Sequence, residues 1–514
     1  MQCHEGGMGY FGRFHYGLTV QPPATSQEGS AMQLKPVKFL VVLLSLGIGV
    51  SAHAQVIFEN GFESTIEAVF PIVNGEFQLP AGPAVDQLNW VLGELSESSG
   101  GGAQPNTDLN DISNHFSSAW DPQAALDFIN LLKVDYPGAR IVDILTVTPV
   151  SVRAVIQSGD GTSGLGFLNM DVVWAENQKI GYFSVNGIGG SVLALQYLDD
   201  QNLTLSQAAD KFQTISAANS ILIARINSAG QCLTVEGREA TTLRATASIF
   251  KIWVLGAIAD MIASGSASPE QLVSLVASEV VAGSVLANIP LGTSFSVLDM
   301  ATLMLGISDN TATDHLHELA GRTRLHQFIQ NSGVADPDVL IPLLSLNEQF
   351  HLFYSVTLAS AMSFINGTEQ EQADYVENVL EPLGASFSYP YWNKQLLSTG
   401  SWQASPMDIC QTFATLRQVP EGTPAKQVIN RALGAESAQP FVRNNWDRVW
   451  YKGGSLAEAT NTYHVYTHAW MLENQGEDAW AVIAMTNDPG GAIDLNSVYR
   501  IQSITSRVLQ LIAQ

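Results

Sequence analysis

Ser248 and Lys251 stand three positions apart in ATASIFKIWVLGAIADMI, residues 245–262, an apolar run whose single basic residue is that lysine. On a helix, residues three apart share a face one turn from each other. The hydroxyl and the amine can therefore reach hydrogen-bonding distance. Burial disfavours the charged ammonium and lowers its pKa, and the positive end of a helix dipole acts the same way. A lysine starts near pKa ~10.4 and becomes a base at neutral pH only through such a shift. A neutral amine beside a hydroxyl turns that hydroxyl into a nucleophile. The competing reading is structural, because Ser-x-x-Lys is a short pattern and lysines snorkel out of apolar helices.

Two later stretches have the same character. Ser308-Asp309-Asn310, in GISDNTATDHL at 306–316, opens a helix, and Ser308 or Asp309 is also a candidate N-cap. Lys452, in VWYKGGSLAE at 449–458, ends a strand ahead of Gly453 and Gly454, where a lysine also serves to guard a sheet edge. Each pattern alone is weak.

Taken in order, they are more specific. Ser-x-x-Lys, then Ser-Asp-Asn, then Lys-Thr/Ser-Gly on a strand is the three-part signature of class A β-lactamases and penicillin-binding proteins, and residues 205–514 resemble that family. The resemblance implies roles. Ser248 would be the acylated nucleophile and Lys251 its base or proton relay. Ser308 would pass a proton toward the leaving group, with Lys452 supplying positive potential beside it. Asn310 would hold the substrate's amide side chain, and Gly453 and Gly454 would let substrate backbone lie close to their strand. The backbone N–H groups of Ser248 and Ser455 would form an oxyanion hole. The implied fold is α+β, a sheet opened by early strands and completed by late ones, with an all-helical subdomain inserted.

Three departures qualify the roles. Gly453 stands where the family has threonine or serine, so a hydroxyl for the substrate carboxylate is missing. The 144 residues from Ser308 to Lys452 exceed the family's usual interval, which should enlarge the helical subdomain or reshape the rim of the site. The deacylating glutamate of the family falls at Leu344. The nearby Glu348 follows Ser345 by three and reads as a capping box. The expected chemistry is an acyl-Ser248 intermediate formed from an ester or amide, a β-lactam among the candidates, and hydrolysed slowly. A true class A β-lactamase, and a non-catalytic binder of β-lactams or wall peptides, remain alternatives. No cofactor motif or metal-ligand spacing occurs, so neither group is expected.

The elements that must position these residues are legible in outline. Helices are expected with Val85, Leu88, Val91, Leu92 and Leu95 on one face, then at 107–116 and 121–132, with Asp121 capping and Pro122 first in its helix. The period then changes to two in RIVDILTV, SVRAVIQ, GFLNMDVVW and KIGYFSV, giving an antiparallel meander. Residues 83–190 thus form a small α+β unit after an irregular lead-in at 55–82, and NGIGGS at 186–191 suggests a boundary. Helices followed by a meander ahead of a β-lactamase-like domain resemble the two-domain protein of the clavulanic acid biosynthesis cluster, which joins a steroid-isomerase-like fold to a β-lactamase-like one. Asp143 and Asp171 of the meander read as outward carboxylates, and no catalysis is assigned to this unit. It could pack over the serine site and narrow it.

Composition bounds the remaining possibilities. Of 514 residues, 46% are hydrophobic and 14% charged, which suits two or three globular domains. The formal charge of −25 repels phosphate backbones and anionic lipid, so nucleic-acid binding is not expected. Lys35, Lys38, the apolar stretch Phe39–Val50 and SAHA at 51–54 read as a secretory signal peptide beginning at Met32, with residues 1–31 an upstream extension. Export to the periplasm or the medium follows, with no membrane span once the signal is removed. Cys3 would be lost with it. Cys232 and Cys410 carry no spacing signature, and the sequence supports no claim of a bridge.

Overall fold

Asp108 and Asp121 each precede an apolar-periodic run, and in the computed structural model each caps a helix. Asp108 accepts from the N–H groups of Asn110 and Asp111 at 2.8 and 3.0 Å and opens Leu109–His115. Asp121 accepts from Ala124 at 2.8 Å, with Pro122 leading Pro122–Asp135. The structure describes residues 70–73, 76–96, 106–187, 196–385, 389–436, 438 and 440–514. The expected signal peptide and upstream extension at 1–54, the lead-in up to residue 69, and the glycines at 189 and 190 lie outside them.

These helices and Pro83–Leu95 bury Leu88, Val91, Leu95, Ile112 and Ile129 against a sheet. Its strands are β1 (Arg140–Val147), β2 (Ser151–Gln157), β3 (Gly166–Val173) and β4 (Lys179–Gly187), antiparallel and in sequence order. Asp171 corrects the outward assignment. It is buried, accepts from Ser151 Oγ at 2.8 Å and pairs with Arg153 at 2.7 Å. A buried carboxylate survives in a sheet when its charge is paired in this way. Asp143 is half-buried and pairs with Arg443 at 2.6 Å.

The second sheet contains β5 (Ala218–Ile226), β6 (Cys232–Arg238), β7 (Arg448–Ala459), β8 (Thr462–Glu473) and β9 (Ala479–Asn487). Their antiparallel order is β7-β8-β9-β5-β6, so late strands complete a sheet that early strands open, and β7 is an edge. The run ILIA at 221–224 is apolar at every position because both faces are covered. Ile221 and Ile223 join Phe212, Ile501 and Ile504 of Leu205–Phe212 and Leu495–Ile512. Leu222 and Ala224 face the other way, into the core of Lys251–Ala263.

Between β6 and β7 the chain is chiefly helical. Between Ser308 and Lys452 the chain includes Leu358–Ile365 and Glu369–Tyr375, and Phe364, Val376, Leu380 and Leu396 pack with Ala247 and Leu456. Among the described residues, the first sheet meets this half within one compact unit. Thr146 Oγ1 donates to Ala435 O at 2.8 Å, Arg431 donates to Val147 O at 3.1 Å, and Asp143 pairs with Arg443. These bonds fall on the segment just ahead of β7. Among the described residues, no helix is long and apolar enough to cross a membrane.

Cys232 and Cys410 are joined in a disulfide that closes 178 residues and ties β6 to Pro406–Arg417. Cys410→Ala is expected to lower stability by about 2–5 kcal/mol, read as a lower denaturant midpoint, with reductant shifting the parent protein similarly and the variant not at all.

Candidate active site

The turn that carries Ser248 is held from three sides. Ala245 donates to Asn487 Oδ1 at 2.7 Å and accepts from Asn487 Nδ2 at 3.2 Å. Thr246 donates its N–H to Trp402 O at 2.9 Å and accepts from Thr467 Oγ1 at 3.0 Å. Phe250 stacks on Trp402 with centroids 3.9 Å apart. Ala247 is left at φ 46°, a left-handed conformation that a residue with a Cβ adopts only when its surroundings impose it. A 3₁₀ turn, Ala247–Phe250, then leads into Lys251–Ala263. Ser248 is half-exposed, and Lys251 is fully buried.

Lys251 does not reach Ser248 as its spacing suggests. Its Nζ donates instead to Ser308 O at 2.7 Å, Ser308 Oγ at 3.1 Å and Asn310 Oδ1 at 2.8 Å. Among the described residues, no hydrogen bond joins Ser248 Oγ to this amine. Three acceptors on the Ser308 turn match the three N–H donors of an ammonium, and they draw the side chain across the site. Burial, then the charge of Lys452, drive the Lys251 pKa well below its ordinary value, against the opposing pull of Asp309 and Asp314. Ser308 itself sits at φ 59°. Asp309 is the N-cap of Asn310–Asn331, accepting from Ala312 at 2.8 Å and from Leu286 at 3.1 Å.

Lys452 completes the cluster. It lies fifth in the twelve-residue strand β7 and not at the strand's end, because the two glycines after it stay paired with β8. Its Nζ donates to Ser308 Oγ at 3.1 Å and to Gly453 O at 2.7 Å, and burial pushes its pKa down to about 7. One hydroxyl therefore lies between two buried amines. With one amine protonated and the other neutral, Ser308 can accept from the first and donate to the second. That is the geometry of a proton relay.

The glycines answer to different neighbours. A Cβ on Gly454 would stand 2.7 Å from both Ser248 N and Thr246 O, so its absence lets β7 run beside the turn that carries Ser248. Ser455, next along β7, is half-buried and paired with Tyr466. A Cβ on Gly453 would stand 2.1 Å from the hydroxyl of Tyr451, which is buried and bonded to His468 Nδ1 at 2.7 Å. Tyr451 fills the space a threonine side chain would need.

Leu344, where the family's deacylating glutamate falls, is a buried core residue. Glu348 is a cap. Its Oε2 accepts from Ser345 N at 2.8 Å, Ser345 Oγ receives Glu348 N at 3.2 Å, and Arg322 pairs with its other oxygen. His315 and His317 point to different partners, Thr311 O at 2.8 Å and Leu343 O at 2.9 Å. Sequence reasoning missed Asp314, fully buried one turn beyond Asn310, which accepts from Leu346 and Asn347 at 2.7 and 2.9 Å. Its spacing of four from Asn310 was the available signal. Tyr451 and Asn487 gave no such signal.

Gly453→Thr is expected to destabilise the protein by about 1–3 kcal/mol through overpacking, seen as a lower thermal midpoint. Adding Tyr451→Phe should recover part of that loss. An unchanged midpoint for Gly453→Thr alone would refute the steric account.

Residues 207–381 match the model of the beta-lactamase enzyme family, a span that includes Ser248, Lys251, Ser308 and Asn310 but ends before Lys452. No curated protein matches. Among solved structures, the chain is similar to a β-lactamase from Chitinophaga pinensis, at 13% identity over 59% of this chain and 96% of that one, with a TM-score of 0.40. It is also similar to one from Burkholderia vietnamiensis, at 13% identity over 60% and 97%, with a TM-score of 0.41. A third is a PBP-A mutant in an acyl-enzyme complex with penicillin G, at 15% identity over 60% and 97%, with a TM-score of 0.39. Over the segment that bears the two serines and the first lysine, the chain is thus similar to the beta-lactamase enzyme family.

Proposed function

We propose that the protein is an exported serine hydrolase that forms an acyl-Ser248 intermediate from an ester or amide. The observation that carries this reading is the Ser308 hydroxyl, 3.1 Å from the Nζ of both Lys251 and Lys452 beside the half-exposed Ser248. Ser248 Oγ attacks the substrate carbonyl carbon and gives its proton to neutral Lys251, which turns from Ser308 and Asn310 toward Ser248 to take it. The tetrahedral intermediate collapses, breaking the bond to the leaving group. That group takes its proton from Ser308, which is resupplied by a neighbouring amine. The N–H groups of Ser248 and Ser455 would stabilise the oxyanion, a contribution of ~2.7–4 kcal/mol per donor in well-formed sites. Water then releases the acyl group.

Two features favour an ester or strained amide that leaves the enzyme slowly. Gly453 offers no hydroxyl to a substrate carboxylate, and the family's water-activating glutamate is replaced by apolar Leu344. Export rests on the residues Lys35–Ala54.

Intact-protein mass spectrometry with a cephalosporin chromophore and, separately, an activated ester provides the test. A mass adduct that persists in the parent and vanishes in Ser248→Ala is the expected result, with ester turnover reduced by roughly 10³-fold or more. No adduct and no turnover with either compound would replace this reading with that of a binding protein.

The two lysines also set a pH dependence. Acylation needs Lys251 neutral and Lys452 charged, so kcat/KM should rise as Lys251 loses its proton and fall above about pH 7 as Lys452 does. Lys452→Arg stays charged throughout and is expected to abolish the alkaline fall in a pH–rate profile. A fall that persists in this variant would assign it to another group.

A further inference from the structure

Exposed aromatic rings are concentrated on one short segment, YPYWNK at 389–394. Tyr389, Tyr391 and Trp392 are 48%, 42% and 40% exposed. Rings of this size ordinarily bury most of their surface, and a cluster of them in water marks a binding surface. These rings are ordered against the helical region. Trp392 stacks on Tyr354 with centroids 4.7 Å apart, and Tyr389 meets the same ring edge-on at 5.2 Å. The backbone beneath them is pinned as firmly. Tyr391 N donates to Tyr354 O at 3.2 Å, and Asn393 N donates to Phe353 O at 2.9 Å. Buried Asn393 also donates from Nδ2 to Leu352 O and Val356 O, at 2.8 and 2.9 Å, where Leu346–Tyr354 ends. Pro390 fixes φ between the two tyrosines. The rings therefore stay exposed with little freedom left to lose on binding a ligand.

A second observation says what would cover them, because this platform continues the serine site along β7. Lys394 pairs with Glu458 of β7 at 3.0 Å. Glu458 follows Ser455 by three residues, about 10 Å along a strand. Beyond Lys394, the turn of helix Leu396–Thr399 packs on β7 and on Arg244–Ala245. Leu396 and Leu397 share a core with Ala247 and Leu456, the neighbours of Ser248 and Ser455. Lys452 lies on the opposite side of Ser455 along β7, beside the Ser308 hydroxyl that serves the leaving group. The rings thus stand at the acyl end of the site, away from the leaving group. The segment carries no charge before Lys394, whose ammonium is paired, so the platform suits a neutral, flat group.

We propose that Tyr389, Tyr391 and Trp392 form a specificity subsite that stacks an aromatic ring at the far end of the substrate's acyl group. The proposal rests on the acyl-Ser248 reading and names its substrate class: esters or amides of aryl-terminated acids, with several methylenes between the carbonyl and the ring.

The test compares activated pentanoyl and 5-phenylpentanoyl esters that share one leaving group. The phenyl ester is expected to have a kcat/KM at least about tenfold higher. Trp392→Ala should bring that ratio near one, Tyr391→Ala should lower it, and Trp392→Phe should keep most of it. The ratio cancels any loss of folded protein. A parent ratio near one overturns the proposal and leaves the rings to a macromolecular partner. A gain that survives Trp392→Ala overturns it too, as does an equal Trp392-dependent gain when the phenyl group is moved to the leaving side. Saturation-transfer NMR with 5-phenylpentanamide and the full chain carrying Ser248→Ala reads the subsite without turnover. Transfer to the ring protons, lost when Trp392→Ala is added, is the expected result, and its absence from the Ser248→Ala protein overturns the subsite. If neither ester is hydrolysed, the acyl-Ser248 reading falls, while the NMR measurement still decides whether these rings hold an aromatic ligand.

Discussion

Two lysines share one hydroxyl inside the protein, and the rest of the site follows from what that arrangement demands. An ammonium loses its hydration when buried, and a second one nearby adds repulsion that the interior screens poorly. Proteins relieve such stress by releasing a proton. Burial lowers both amines here, and the charge of Lys452 further lowers Lys251. The carbonyls of Ser308 and Gly453 and the amide of Asn310 give the N–H groups partners, while Asp309 and Asp314 lend negative potential from nearby. The cluster is thereby stable enough to persist and poised to move protons.

Holding such a cluster needs three unconnected pieces of chain at fixed distances. The helix start at Lys251, the turn at Ser308 and the edge strand β7 each contribute one element, and none contacts the others through sequence proximity. Ala247 and Ser308 both adopt left-handed backbone, a cost of order 1–3 kcal/mol each that their surroundings must offset. The offsets are visible: Asn487 and Trp402 grip the first turn, and Asp309 caps the helix that follows the second. The first sheet adds support through the segment that contains Arg431, Ala435 and Arg443. Glu436 in that segment raises the Lys452 pKa, against burial.

Much of this was legible from local pattern. RIVDILTV is the whole of β1, and Asp121-Pro122 marks its helix start, because capping and alternation act over a few residues. The order of the three motifs identified the residues that meet at Ser308. What pattern could not supply was the direction of long side chains. Lys251 turns from Ser248 because better acceptors lie 57 and 59 residues away. Asp171 faces inward because Arg153 waits across the strand pair. The disulfide joins cysteines 178 positions apart, a separation without any local signal. Gly453 looked like a lost hydroxyl, and only the packed structure shows Tyr451 in its place.

That substitution bears on how an acyl group would leave. Hydrolysis of an acyl-serine needs a base to orient water on the carbonyl. The oxygens of Glu348 are bound by Ser345 and Arg322, and those of Asp314 by two backbone amides. Asp309 is occupied by Ala312 and Leu286. These buried carboxylates are therefore spent on holding loops and helix ends. On the proposed mechanism, the group left to activate water is the amine that took the first proton, Lys251, and only after it has passed that proton on through Ser308. Deacylation would then use the same relay as acylation in reverse. A site built this way favours substrates whose leaving group departs early and clears the cleft, so that water can enter where it stood.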